Sequence, residues 1–238
     1  MVHSTSESSV GEVPDLTGAI LSRLRQAASL LLWEQGAVHV NAEQPFRLAS
    51  GNVSPIYVDC RRVISNRSLL RVFSAVSGML LERHGAEFDV VAGGETAGIP
   101  YAAVLSEALA KPLVYVRKKA KAYGTTSRVE GALEPGSRVL LVEDLITDGG
   151  SKLTFLDAID GAGASVSSVL VLFDRQQGGG EKLSERGVTL HAVTDRATAF
   201  AVAGASGLIN ENARLSTDEY FRDPAAWHAN RGYPYSAG

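Results

Sequence analysis

Two adjacent carboxylates, Glu143 and Asp144, directly follow a run of four apolar residues at 139–142. A Gly-Gly-Ser segment at 149–151 then opens a stretch with apolar residues at helical spacing, namely Leu153, Leu156 and Ile159. This order predicts a buried strand, a tight turn and a helix. Glycine lets a ligand approach the backbone closely, and N–H groups at the start of a helix bind phosphate. Carboxylates at the carboxyl end of a strand, in reach of hydroxyl groups or Mg²⁺, complete a site suited to a phosphorylated sugar.

Two common nucleotide-binding motifs do not account for this segment. The sequence contains no G-x-x-x-x-G-K-[ST] phosphate loop, and no G-x-G-x-x-G follows the predicted strand. A plain strand–turn–helix junction with an incidental acidic pair is the alternative. The combination of strand, Glu-Asp, Ile-Thr and Gly-Gly-Ser is more specific than its glycines alone, and it favours a ligand site.

A cationic segment, Arg117-Lys-Lys-Ala-Lys-Ala-Tyr-Gly124, directly follows another predicted strand at 113–116. A solvated run of charges is the alternative to a ligand role. However, the segment begins at a strand end, where the phosphate-binding turn is also expected. From Gly124 onward no apolar residue precedes Val129. We therefore predict a mobile loop, extending to about Gly131, that closes over a pyrophosphate leaving group.

Apolar periodicity along the chain predicts alternating helices and strands. Helices are expected at residues 15–35, 66–84, 97–109 and from 151. Strands are expected at residues 37–40, 56–60, 88–92, 113–116, 139–142, 165–173 and 188–192. Such alternation is typical of an α/β fold with a mainly parallel twisted sheet flanked by helices. The 238 residues fit one domain at 13–214, with a disordered extension at 1–12 and a C-terminal surface tail at 215–238.

Composition and charge narrow the classes of function. The net charge of −3 argues against a general nucleic-acid binder. No apolar run approaches the ~18 residues of a membrane span. The histidines lack metal-ligand spacing, so we expect no zinc site. Cys60 is the single cysteine and cannot form an intrachain disulfide, which fits a reducing cytoplasm. We expect a cytoplasmic protein that binds neither nucleic acid nor membrane.

Three further stretches carry motifs. Phe46–Tyr57 reads F-x-L-x-S-G-x-x-S-P-x-Y, Gly93–Pro100 reads G-G-E-T-A-G-I-P, and Asp-Arg-Gln stands at 174–176. With the segment 139–151, they resemble the type I phosphoribosyltransferases, which bind 5-phosphoribosyl 1-pyrophosphate (PRPP). The first stretch is similar to the active-site hood of orotate phosphoribosyltransferases, and Arg-Lys-x-Ala-Lys at 117–121 is similar to their catalytic loop.

The resemblance spans about residues 15–205, and it implies a type I phosphoribosyltransferase-like core at 66–205 under a small N-terminal hood at 36–62. The implied reaction joins orotate and PRPP to give orotidine 5′-monophosphate and pyrophosphate, with Mg²⁺ held mainly by the substrate near Glu143 and Asp144. The implied catalytic residues are Arg117, Lys118, Lys121 and Asp144. PRPP contacts are implied for Thr96, Arg117, Lys118, Lys121, Glu143, Asp144, Thr147, Asp148, Gly149, Gly150 and Ser151. Orotate contacts are implied for Ser50, Tyr57, Thr147 and Arg175.

The family also forms dimers in which the catalytic loop of one subunit reaches the active site of the other, so a homodimer is implied. This sequence departs from the usual pattern at four positions. Ala49 and Ala97 stand where many members have lysine, and Tyr123 stands where the loop often has histidine. Those roles do not carry over. Asp148 is a carboxylate in the phosphate turn, so we expect its side chain to point outward, away from a phosphate.

Two other functions are compatible with parts of the sequence. One is a phosphoribosyltransferase for another base. The hood motif and Arg175 argue against it. The other is a PRPP-sensing regulator that binds nucleic acid. Such a regulator would be expected to show a helix-turn-helix domain or a basic face, and the sequence indicates neither.

Overall fold

The structure, a computed structural model, describes residues 15–48, 50–120 and 127–236. The extension expected at 1–12 lies outside these ranges. The helices are α1 Leu16–Glu34, α2 Arg67–Arg83, α3 Gly98–Leu109, α4 Gly150–Asp160, α5 Gly179–Ser184, α6 Arg196–Ala205, α7 Glu211–Arg222 and α8 Pro224–Asn230. The strands are β1 Val38–Val40, β2 Phe46–Arg47, β3 Val53–Ser54, β4 Ile56–Val58, β5 Val90–Gly94, β6 Leu113–Val116, β7 Val129–Glu130, β8 Arg138–Ile146, β9 Ser165–Asp174 and β10 Thr189–Asp195. In these ranges, no helix has the length and apolar character needed to cross a membrane.

The central sheet has the strand order β10-β9-β8-β5-β6-β7. All its neighbouring strands are parallel except β6 and β7, which pair antiparallel. This arrangement confirms the expected α/β fold. Because β5, β8 and β9 are adjacent and parallel, their carboxyl ends lie at one edge of the sheet. The segments that follow these three strands are those that carried the sequence motifs.

Side chains of the sheet alternate between two hydrophobic cores, one on each face. In β8, Leu140 and Val142 pack with α1, α2 and α3, whereas Val139 and Leu141 pack with α4. Each of these four side chains is at most 1% exposed. A strand buried on both faces reads as a continuous apolar run, which is why residues 139–142 could be recognised from sequence.

Strand β8 is longer than expected. It continues to Ile146, so Glu143 and Asp144 lie inside the strand and not after it. The reason is that pairing with β9 continues beyond the apolar run, from Glu143 opposite Val171 to Ile146 opposite Asp174. The acidic pair is therefore held by a hydrogen-bonded strand.

The cationic loop is shorter than expected. Its predicted end near Gly131 was wrong, because Val129 and Glu130 form β7 and pair with Val116 and Tyr115. Val129 is 9% exposed and packs into the core on the α4 side of the sheet. This apolar residue brings the chain back to the sheet. Residues 121–126 lie outside the described part of the chain.

The hood consists of two small antiparallel pairs, β1 with β4 and β2 with β3. Ile56 and Val58 of β4 are buried in the core on the α1 side. The hydroxyl of Tyr101 in α3 donates a 2.6 Å hydrogen bond to the carbonyl of Cys60, just after β4. This bond and the burial of β4 fix the hood to the core.

The segment expected as a C-terminal surface tail at 215–238 contains most of α7 and all of α8, two helices that the sequence analysis did not predict. Tyr220 in α7 and Trp227 in α8 are 4% and 1% exposed, and they pack on Val53 of β3. The two helices are short and are separated at Asp223, whose side chain caps α8 ahead of Pro224. Such short helices give little periodicity to detect. They pack on the hood rather than forming a separate domain.

Candidate active site

The turn after β8 presents backbone N–H groups at the start of α4. Gly149 has a φ of 80°, a left-handed conformation that favours glycine. A Cβ at this position would also lie 3.3 Å from Gly179 of α5. The first N–H groups of a helix have no partner within that helix, so the turn at 147–151 has the geometry of an anion site.

Asp148 lies in this turn with an exposed side chain, as expected, but its carboxylate is not directed away from the N–H groups of the turn. Its Oδ2 is 3.6 Å from Nζ of Lys182 in α5, and its Oδ1 accepts a 3.3 Å hydrogen bond from the N–H of Gly150. Lys182 offsets part of the repulsion between this carboxylate and a phosphate. A phosphate in the turn would compete with Asp148 for the Gly150 N–H.

The two carboxylates of β8 have different surroundings, and Glu143 is the more deeply buried. Its Oε2 accepts a 2.7 Å hydrogen bond from Nζ of Lys152, and its Oε1 has no hydrogen-bond partner among the residues described. Burial raises the pKa of Glu143 to about 7, against the opposing charge of Lys152. A Cβ on Gly94 or Gly98 would come closer than 3.0 Å to Oε1. These glycines, the last residue of β5 and the first of α3, therefore make room for the buried carboxylate.

Asp144 is half-buried and lies beside the phosphate turn. Its Oδ1 accepts a 2.8 Å hydrogen bond from the N–H of Leu145. Burial raises the pKa of Asp144, while the positive charges of Lys152 and of Arg61 in the hood act in the opposite direction. Asp144 is thus the carboxylate of the pair that a ligand can reach more easily.

Lys152 is a residue of this site that sequence reasoning missed. The buried positions of α4 are Lys152, Phe155, Leu156 and Ile159. Leu153, which was expected on this face, is only partly buried. The sequence did contain a signal for Lys152, because this lysine is at helical spacing from three apolar residues. A lysine on the buried face of a helix needs a buried anion as its partner.

We expect Lys152→Met to lower the free energy of unfolding by about 3–5 kcal/mol, because it leaves the buried carboxylate of Glu143 without its cation. The folded state keeps Glu143 protonated to a higher pH than the unfolded state does, so stability is lost as pH rises through about 7. The loss in the variant should therefore be larger at pH 8 than at pH 5. Urea unfolding at both pH values measures it.

The control for this prediction is Lys111→Met, which removes an exposed lysine and should change stability by less than about 0.5 kcal/mol. The double variant Lys152→Met/Glu143→Gln should recover most of the loss. If it is as unstable as the single variant, the cost comes from packing of the methionine and not from the unpaired carboxylate.

Arg117 and Lys118 stand at the end of β6. Arg117 Nη1 lies 3.4 Å from Oε1 of Glu130 in β7. The backbone N–H of Lys118 donates a 2.7 Å hydrogen bond to Oε2 of Glu95, which follows β5. The start of the cationic loop is thus joined to the loop at the end of the neighbouring strand. Outside the described residues lie Ala49, Lys121 and Tyr123, whose roles stay predictions.

Arg175 follows β9 at the same edge of the sheet, and its N–H donates a 3.0 Å hydrogen bond to the carbonyl of Ile146. Its Nε and Nη2 atoms are buried and have no hydrogen-bond partner within the described ranges. Burial lowers the pKa of Arg175, and the opposing influences come from Tyr220 and Cys60. Buried guanidinium nitrogens without a partner are costly, so this position fits an anionic ligand.

The remaining predicted contacts lie around this edge. Thr96 and Ser50 are exposed, the first just before α3 and the second in the turn between β2 and β3. Tyr57 packs against Phe46 with ring centroids 5.8 Å apart, and its hydroxyl accepts a 3.1 Å hydrogen bond from Arg61 Nη2. These contacts involve other hood residues, so orotate binding by Tyr57 stays a prediction.

A parallel sheet that carries an acidic pair and a phosphate turn at one edge defines the phosphoribosyltransferase class, and residues 66–199 match the family model described as a phosphoribosyl transferase domain. The chain is 46% identical over 209 residues to the orotate phosphoribosyltransferase of Ruegeria sp. (strain TM1040), a match that covers 85% of this chain and 91% of that protein.

Solved structures agree. The orotate phosphoribosyltransferase of Aeropyrum pernix has a TM-score of 0.66 at 34% identity, with 76% of this chain and 99% of that chain covered. The UMP synthase of Leishmania donovani has a TM-score of 0.74 at 26% identity, and the match covers 85% of this chain but 43% of that longer chain. The chain belongs to the orotate phosphoribosyltransferases, which are pentosyltransferases.

Proposed function

We propose that this protein transfers the phosphoribosyl group of PRPP to orotate, giving orotidine 5′-monophosphate and pyrophosphate in pyrimidine biosynthesis. The bond from ribose C1 to pyrophosphate oxygen breaks, a C1–N bond to orotate forms, and that nitrogen loses its proton. One observation carries the proposal: a turn at a helix start, a half-buried carboxylate and an arginine with two guanidinium nitrogens that have no partner among the described residues share one edge of the sheet. Each group matches one part of the two substrates.

The sugar phosphate would bind along β8 and its turn. The N–H groups at 147–151 suit the 5′-phosphate. Asp144, with Glu143 behind it, would accept hydrogen bonds from the ribose hydroxyls. As the C1–O bond breaks, positive charge develops on the ribose ring, and the fixed negative charge of Asp144 stabilises it. The protein therefore contributes electrostatic preorganisation rather than a covalent nucleophile.

The pyrophosphate would lie toward the loops after β5 and β6. Arg117, Lys118 and Lys121 would neutralise the negative charge that develops on it, and Thr96 would contact it. The 2.7 Å hydrogen bond from Lys118 to Glu95 supports this placement, because it brings the two loops together. The base would lie on the other side of the ribose, with Arg175 on its carboxylate and with Thr147, Ser50 and Tyr57 around it.

Magnesium fits this site. Carboxylate oxygens and substrate phosphates are the ligands that Mg²⁺ prefers, and Asp144 is a half-buried carboxylate that a ligand can reach. Glu143 and Asp144 are the residues near which the metal would be held, mainly through PRPP itself. When bound, the metal supplies positive charge that neutralises pyrophosphate.

The direct test is consumption of orotate in the presence of PRPP and Mg²⁺, with each component omitted in turn, alongside uracil, adenine and hypoxanthine as competing bases. We expect turnover with orotate that requires both PRPP and Mg²⁺. Turnover of a purine or of uracil but not of orotate would assign the protein to another base.

Arg175→Lys should raise the KM for orotate about tenfold, because an ammonium group cannot make the bidentate contact of a guanidinium with a carboxylate. The KM for PRPP should change little. Steady-state kinetics with each substrate varied in turn provide the measurement, and Arg186→Lys, at an exposed ion pair with Asp157, is the control. If PRPP binding suffers more than orotate binding, Arg175 does not bind the base.

The assembly and location of the protein are also proposals. We infer a homodimer in which the catalytic loop is shared between subunits. The loop leaves the sheet between β6 and β7, and β7 is an edge strand, so this placement is compatible with a loop that extends toward a second subunit. A cytoplasmic location is supported by Cys60, which is buried as a free thiol.

A further inference from the structure

Strands β2 and β3 form a small hairpin with Ser50 between them, and its described residues 46–48 and 50–54 are here named the hood hairpin. It pairs with no strand of the central sheet in the part of the chain that the structure describes. A hairpin with two paired residues on each strand is marginal in water unless other elements support it. Its conformation must therefore depend on what packs against it.

Phe46 packs on Tyr57 within the hood, and further support comes from the C-terminal residues 211–236, here named the C-terminal clamp. Val53 of the hood hairpin is 7% exposed and packs with Tyr220 and Trp227 of the clamp, in a cluster separate from the two main cores. Asn52 makes two hydrogen bonds to the backbone of Ser236. Its Nδ2 donates to the carbonyl at 2.8 Å, and its Oδ1 accepts from the N–H at 3.0 Å.

The most specific contact is made by His228 in α8, whose side chain is 0% exposed. Its Nδ1 lies 2.6 Å from the carbonyl of Pro224, which can only accept, so the ring proton is on Nδ1. Its Nε2 is then free to accept the 3.2 Å hydrogen bond from the backbone N–H of Val53. A buried N–H that lost this acceptor would favour a different conformation of the hairpin.

The clamp contacts the core near the part of the proposed site where the orotate base would bind. The guanidinium of Arg196, at the start of α6, lies 4.0 Å from the ring centroid of Phe221 in α7. Arg196 directly follows Asp195 of β10, which pairs with Asp174 of β9, the residue before Arg175, the proposed ligand of the orotate carboxylate. The same two-helix unit thus contacts the hood hairpin and lies near Arg175.

We propose that His228 is a positioning residue: through the N–H of Val53 it holds the hood hairpin, and with it Ser50, over the base side of the active site. This inference rests on the proposed function for the identity of the base. The hydrogen bond itself does not, so the position of the hairpin can be tested without turnover.

The experiment compares His228→Ala, His228→Gln and Arg214→Ala in the full-length protein. Arg214 is the control, because it lies on α7 but pairs only with Glu211 and Asp218 in the described structure. Hydrogen–deuterium exchange of peptides covering 46–54 measures the hairpin, and steady-state kinetics give the KM for each substrate and kcat.

For His228→Ala we expect faster exchange at 50–54 and a KM for orotate raised about tenfold, with the KM for PRPP within about twofold of wild type. His228→Gln should restore much of both, because its side-chain oxygen can accept from the Val53 N–H. Asn52→Ala, which removes the bonds to Ser236 and leaves His228 in place, should act in the same direction. If His228→Ala does not fold, His228→Leu, which fills the buried space without an acceptor, takes its place and is expected to give the same result.

Unchanged exchange in folded His228→Ala would overturn the proposal, as would faster exchange with an unchanged KM for orotate. An equal rise in both KM values would indicate a general structural role and would also overturn it. If the wild type does not use orotate, the proposed function fails, and the exchange measurement alone then decides whether His228 holds the hairpin.

Discussion

Asp144→Asn is expected to fold normally and to lose about 10²–10³-fold in kcat. Asparagine keeps the shape of the side chain and can still hydrogen-bond to ribose hydroxyls. It supplies no negative charge where the ribose ring becomes positive, and a charge that acts mainly in the transition state affects kcat more than substrate binding. Asp144 is half-buried, so water would screen its charge less than that of an exposed carboxylate.

The matched control is Asp157→Asn. Asp157 is an exposed carboxylate on α4 that pairs with Arg186 at 3.1 Å, and its loss should leave kcat within about twofold of wild type. Circular dichroism and urea unfolding verify that both variants are folded. Near-normal kcat in folded Asp144→Asn would remove this residue from the mechanism and leave Glu143 as the carboxylate to test.

The parts of the fold that sequence could predict are those with strong apolar periodicity. The expected strand at 113–116 coincides with β6, and the expected helices at 15–35 and 66–84 become α1 Leu16–Glu34 and α2 Arg67–Arg83. These elements are buried along a stripe or on both faces, so the pattern follows directly from burial. The order of strands and helices then determines a mainly parallel sheet, and with it the edge where the motifs meet.

The parts that sequence could not predict depend on contacts between distant residues. The pairing of β7 with β6 involves two residues, and the packing of Trp227 on Val53 joins segments far apart in the chain. Neither leaves a periodic pattern. Lys152 differs from these two, because its helical spacing from Phe155, Leu156 and Ile159 indicates a buried lysine. Its partner, however, follows only from Glu143 lying 2.7 Å away.

The different surroundings of the two carboxylates could not be predicted from sequence either. From sequence, Glu143 and Asp144 are equivalent candidates for the ribose hydroxyls. In the structure Glu143 is paired with Lys152 and enclosed by Gly94 and Gly98, while Asp144 remains half-buried at the edge. Neighbours on a strand point to opposite faces, so two adjacent residues rarely have the same surroundings.

Mixing two inactive variants, Lys121→Ala and Asp144→Asn, is expected to restore activity. Lys121→Ala should be nearly inactive, because it removes a positive charge proposed to act on pyrophosphate. If the loop and the phosphate turn of one site come from different subunits, a mixed dimer has one site with both defects and one site with neither. Random pairing makes about half of the dimers mixed, so about a quarter of wild-type activity should return.

The variants are co-expressed with different affinity tags, and the doubly tagged dimers are purified so that their composition is known. Purified mixed dimers should then show about half of wild-type activity, since one site of the two is intact. Mixed Lys121→Ala and Asp157→Asn dimers are the control and should show about half activity whichever subunit supplies the loop, because only one variant is defective. The outcome for Lys121→Ala with Asp144→Asn separates the two arrangements: if each subunit supplies its own loop, every site carries one defect, and confirmed mixed dimers stay inactive.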